Sequence, residues 1–154
     1  MQHPLEGLAK QIVFFSRNLA HNLDFIPDDK LDWKPAPTAN SAMEVVRHLL
    51  GAQHRLRTAL EGGNMDDAQV PEPQTRDEAK QALAESSDAY AAMLRGLDPA
   101  TLNDKITLRF GEMPKAFVAS MAVADTLHHH GQIAYIQTLL GDTETHFDMS
   151  LMGR

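Results

Sequence analysis

The stretch Val118-Ala-Ser-Met121-Ala-Val-Ala-Asp125-Thr-Leu-His128-His129-His130-Gly131-Gln132-Ile-Ala-Tyr135-Ile-Gln-Thr-Leu139 decides the fold. Val118, Met121, Asp125, His128, Gln132, Tyr135 and Leu139 follow an alternating three-four spacing, which predicts a helix burying one seam in a bundle. Both ends of that seam are apolar and its middle turns are polar. His129 comes four residues after Asp125, so the two side chains share a face one turn apart. A carboxylate and an imidazole at that spacing can bind one metal ion. They can equally form a hydrogen-bonded pair in which Asp125 orients a histidine. Pro114 marks the start of this helix and Gly141 its stop.

Working outward, three more helices are legible. Leu5, Leu8, Ile12, Phe15, Leu19, Leu23 and Ile26 recur at steps of three and four until Pro27 ends the pattern. The loop that follows, to Asn40, carries Leu31 and Trp33 as anchors. Ser41 and Glu44 form a capping-box signature ahead of Val46, Leu49, Leu50, Gln53, Leu56 and Leu60, which end at Gly62-Gly63. Residues 64–74 are polar with Pro71 and Pro73, a crossover loop. Thr75 and Glu78 repeat the capping signature before Ala79, Ala82, Leu83, Tyr90, Leu94 and Leu97, and Pro99 closes that helix. Between Asp104 and Lys115 the period shortens to two, with Ile106, Leu108 and Phe110 alternating and Gly111-Glu112 as a turn, which predicts a short β-hairpin. The fold class is all-α, one domain over residues 1–154, with residues from about 142 onward a loosely held tail.

The chain has 154 residues, no cysteine, eight histidines and a formal charge of −7. Lack of cysteine excludes disulfides, thiolate metal ligands and a Cys nucleophile together. The acidic balance argues against nucleic acid or an anionic membrane as partner. No apolar run approaches the roughly 20 residues that span a bilayer, and no secretory signal pattern opens the chain; a cytoplasmic protein is the expectation. A metal site needs a third ligand from another helix. His48, His54 and His21 are the candidates, and spacing does not choose among them. His48 lies on the side of Gly51, Ala52, Arg55 and Ala59, where small residues permit close approach of a neighbour.

Ser41-Ala-Met-Glu44-Val-Val-Arg47-His48-Leu, followed far downstream by Asp125-Thr-Leu-His128-His129-His130-Gly131-Gln132, resembles the DinB-like superfamily of metal-binding four-helix bundles. The likeness runs over nearly the whole chain, the Trp33 loop and the hairpin included. It implies an up-down-down-up bundle with the long crossover between helices 2 and 3. It also implies His48 as the first metal ligand and His129 as the last. The family commonly has a histidine four residues before the last ligand; Asp125 stands there in this chain, and His130 stands where arginine is frequent. His128 and Gln132 are candidates for holding a ligand from behind.

Two imidazoles and a carboxylate suit zinc, nickel, iron(II) or manganese. The resemblance implies a small-molecule metalloenzyme, either a transferase using a low-molecular-weight thiol or a hydrolase using metal-activated water, and a homodimer. The reading from another class is a non-catalytic ligand-binding or stress-related bundle, its metal structural or absent.

Overall fold

Ser41 caps the second helix in both directions: its hydroxyl accepts from the Glu44 amide and the Glu44 carboxylate accepts from its own amide. Thr75 caps the third through its hydroxyl alone, since Glu78 reaches past it to the Gln74 amide. In the computed structural model, which describes residues 2–153, the helices are α1 (Glu6–Leu23), α2 (Ala42–Leu60), α3 (Arg76–Gly96) and α4 (Lys115–Leu139). Met1 and Arg154, the ends of the expected domain, lie outside the described residues. The antiparallel hairpin of β1 (Lys105–Leu108) and β2 (Gly111–Pro114) precedes α4.

Two apolar clusters fix the direction of each helix. One gathers Leu5 just ahead of α1 and Ile12 within it, Leu56 and Leu60 of α2, Tyr90 and Leu94 of α3, and Val118 and Ala122 of α4. The other gathers Leu19 and Leu23, Val46 and Leu49, Ala79 and Leu83, and Ile133 and Ile136. The first cluster therefore holds the start of α1 and α4 and the end of α2 and α3, an up-down-down-up arrangement. α1 packs on α3 and α4, and α2 packs on the same two helices. The crossover from Glu61 to Thr75 returns along the bundle, roughly 28 Å for a helix of this length. Arg47 fastens its far end, donating through Nε and Nη2 to the Pro73 carbonyl at 3.0 and 2.8 Å.

A polar layer separates the clusters, with one residue from each helix. Gln53 donates to Ser16 Oγ and Thr126 Oγ1 and accepts from Ser86 Oγ at 2.7 Å, all four residues being buried. Such a layer fixes the axial register of the helices, because sliding any one of them strands polar groups in the core.

Three expectations change. The inward face of α4 is Ala119, Ala122, Thr126, His129, Ile133 and Ile136; the expected seam residues Tyr135 and Leu139 are 64% and 45% exposed. α4 carries large apolar side chains on both faces, with Val118, Val123, Ile133 and Ile136 buried and Phe117, Leu127, Tyr135 and Leu139 exposed. The hairpin turns at Arg109-Phe110, since Leu108 pairs with Gly111, whose φ of +132° suits glycine. The segment after α4 is tied down, for Gln137 donates to the carbonyls of Asp142 and Glu144. Asn18 exchanges bonds with the Asp148 backbone, and His146 stacks on Phe25 at 3.4 Å.

Candidate functional site

Antiparallel packing of α2 on α4 sets His48 against His129, with ring centroids 4.7 Å apart at 64°. His129 Nε2 lies 3.3 Å from Asp125 Oδ1, one turn earlier on the same helix. His48, Asp125 and His129 each offer one ligand atom within 4.8 Å of the others. His129 is buried, Asp125 half-buried and His48 exposed, so the group opens to solvent on the α2 side. Its composition and spacing could hold a metal ion.

The surroundings fit that use. Gln132 Oε1 lies 2.7 Å from His129 Nδ1. An amide oxygen only accepts, so Nδ1 donates to it and Nε2 is the nitrogen left facing Asp125 and available to a metal. The Gln132 amide nitrogen in turn donates to His128 Nε2 at 3.2 Å. Gln132 thus holds His129 from behind, as partners of metal-binding histidines do. Asp125 Oδ2 is buried without a hydrogen-bond partner, a condition costing about 1–3 kcal/mol that a cation would relieve.

Electrostatics of the ligand-free group point the same way. Burial works against the Asp125 carboxylate, but the hydrogen bond from His129 and the nearby imidazoles outweigh it and hold its pKa below the ordinary value. The hydrogen bond to Asp125 raises the pKa of His129, against the effect of its burial. A proton on Nε2 in this pair would stand where a metal would bind.

Beside the group opens a cleft of about 600 Å³, walled by α2, α4, the crossover and the hairpin. His48, Ala52 and Arg55 line it from α2, Met121, Asp125 and His128 from α4, and Arg109 and Phe110 from the hairpin turn. Sequence reasoning missed Arg109, Phe110 and Met65 as parts of this wall. Nothing in their spacing links them to residues on α2 or α4. His128 stands exposed at the rim, edge-on to His129 with ring centroids 5.0 Å apart, and is bonded to Gln132.

The remaining histidines are engaged elsewhere. The His54 ring meets the Gln69 backbone, and burial lowers its pKa. His21 packs edge-on against Phe25. His130 bonds Asn22 Oδ1 at 2.8 Å, where burial lowers its pKa too. His146 bonds Asp142 Oδ2, and His3 the Leu97 carbonyl. Of the three candidates for a ligand outside α4, the structure brings only His48 to Asp125 and His129.

Fold and site together define a class: four-helix bundles with a long central crossover that gather histidine and carboxylate side chains at an open cleft. Residues 11–133 match the sequence profile of the DinB superfamily, and the chain belongs to that superfamily. A relative is the uncharacterized protein YjoA of Bacillus subtilis strain 168, 27% identical over 135 residues, which span 85% of this chain and 88% of YjoA. The crystal structure of that DinB-like protein superposes with a TM-score of 0.74 at 21% identity, covering 90% of this chain and 94% of the other. A DinB-like protein from Bacillus cereus ATCC 10987 superposes at 0.71 with 19% identity, covering 92% and 95%. These two structural likenesses concern the fold.

Proposed function

We propose that this protein binds a divalent transition metal through His48, Asp125 and His129 and acts on a small molecule seated in the adjoining cleft. The observation that carries the reading is the buried, unpartnered Oδ2 of Asp125 within a three-ligand group open to that cleft. A bound metal would supply Lewis acidity and lower the pKa of a water or thiol ligand. Asp125 contributes the one negative charge of the set, and Gln132 fixes the orientation of His129. The apolar wall of Leu56, Met65, Phe110 and Met121 shields one side of the cleft from water.

Three protein ligands leave coordination positions free, which favours a catalytic over a closed structural site. The reaction is transfer using a low-molecular-weight thiol, or hydrolysis, and the metal is zinc, nickel, iron or manganese. The chain has no cysteine, so a thiol would have to arrive as a cofactor. A cytoplasmic homodimer belongs to the same reading, and the exposed Phe117, Leu127, Tyr135 and Leu139 of α4 offer an apolar face for the second copy. No described helix is long and apolar enough to cross a membrane.

Metal analysis of protein purified without a nickel column tests the site. Near-stoichiometric transition metal in the wild type, lost in His129→Ala, is the expected result; no bound metal under metal-replete conditions overturns it. With metal in place, thiols offered with electrophilic substrates are compared with simple esters and amides. Turnover of either set identifies the chemistry, and turnover of neither favours the non-catalytic bundle. Light scattering after size exclusion reads the oligomeric state.

A further inference from the structure

Arg55 stands apart from the other described arginines, each of which has a carboxylate or carbonyl partner. Arg47, eight residues earlier on α2, is committed to the crossover. Arg55 has no hydrogen-bond or ion-pair partner among the described residues, yet its position is specific. Its guanidinium folds back over Gly51, where an added Cβ would fall 2.8 Å from Nη1 and 3.5 Å from Cζ. Long helical side chains lean toward the helix N-terminus, and the bare backbone at Gly51 lets this one do so fully. The charge is thereby carried back one turn, toward the level of His48 and Ala52 on the cleft wall.

The rest of the cleft supplies the complement. Its one carboxylate is Asp125, which belongs to the ligand group, and its second cation, Arg109, is paired with Asp66 at 3.3 Å. Leu56, Met65, Phe110 and Met121 give an apolar surface between the two arginines. Although the chain's formal charge is −7, the free guanidinium gives this cleft a local preference for an anionic group, and the apolar wall one for an apolar body. Guanidinium and carboxylate match in shape as well as charge, forming two parallel hydrogen bonds.

We propose that the cleft takes a small organic carboxylate, its apolar body on the Met121–Phe110 wall and its carboxylate on Arg55, with Gly51 as the residue that lets Arg55 reach it. The inference deepens the proposed function and rests on the cleft being the place where substrate sits.

Calorimetry with 4-phenylbutyrate and the uncharged 4-phenylbutyramide tests it on zinc-supplemented protein. The wild type is expected to bind the carboxylate about tenfold more tightly than the amide. Arg55→Ala should abolish that preference while leaving amide affinity unchanged. Gly51→Ala keeps the charge but displaces the guanidinium, and should lower the preference several-fold with the helix intact by circular dichroism. Equal affinity for the two probes in the wild type, or a preference surviving in Arg55→Ala, overturns the proposal. The same pair is measured on His129→Ala, whose zinc content is read separately. A preference that persists there and still depends on Arg55 supports the assignment whether or not metal binds; one that vanishes with the metal shows the carboxylate on the metal and overturns it. Absence of zinc from the wild type would overturn the metal reading alone, since the Arg55 dependence is read independently.

Discussion

Gln53 and Asp125 present two ways of placing polarity inside one bundle. Both lie near the middle of their helices, and Thr126, which contacts Gln53, is the next residue after Asp125. Around Gln53 the polar groups answer one another: amide to two hydroxyls, hydroxyl to amide oxygen. Around Asp125 they do not, for Oδ2 is left buried and unpartnered beside two imidazoles. A closed network specifies register and needs nothing further. An incomplete one carries a standing cost that a ligand can remove, which is why the second region reads as a site and the first as architecture.

The sharpest way to break this comparison is His129→Ala. Metal affinity should fall more than about 100-fold, beyond the loss usual for an outer hydrogen-bond partner, while the protein stays folded; zinc titration and a thermal melt read the two effects. Next in size is Gln53→Leu, which strands the hydroxyls of Ser16 and Ser86, while Thr126 keeps its bond to the Ala122 carbonyl. About 2 kcal/mol of stability should be lost, several degrees of Tm at this size, with metal affinity unchanged. A parallel loss of affinity would show that layer and site are one unit.

Gln132→Ala should weaken metal binding about tenfold by freeing the His129 ring, at little cost in stability. The smallest effect is that of pH. His129 has a raised folded pKa, so its protonated pair with Asp125 stabilises the metal-free protein fully below the ordinary histidine value and progressively less as pH rises through the folded one. Asp125, with its lowered pKa, keeps its share above the ordinary carboxylate value and loses it as pH falls through the folded one. Metal must displace the proton on His129. Displacing that proton alone should make affinity climb by about tenfold per pH unit below the folded pKa and add nothing above it, a profile that Gln132→Ala should shift and Gln53→Leu should not.

Much of the fold was legible because α2 obeys its own pattern. Val46, Leu49, Leu50, Gln53, Leu56 and Leu60 are all buried as their spacing predicts, and Ser41 and Glu44 cap it. α4 was harder. With Phe117, Leu127, Tyr135 and Leu139 exposed and Val118, Ile133 and Ile136 buried, large apolar residues stand on both faces, and periodicity alone does not tell the buried face from the exposed one. In the site, the pairing of Asp125 with His129 follows from helical spacing. Choosing His48 over His54 depends on which helix α2 meets, and that is set by the topology of the whole chain. The cleft was least legible, since Met65 and the Arg109-Phe110 turn arrive through loops.

That topology also bears on how the chain acquires its structure. α1 meets α2, the helix that follows it, through the Gln53–Ser16 bond, and its main packing is on helices that begin at Arg76 and Lys115. No hairpin of adjacent helices can form early and shelter α1, so its apolar face stays wet until much of the chain is available. Loop closure must come before the burial that rewards it. A bundle wired this way should fold more slowly than one of equal size joined only by short turns, with α2 and α3 meeting across the long crossover before α1 and α4 close around them.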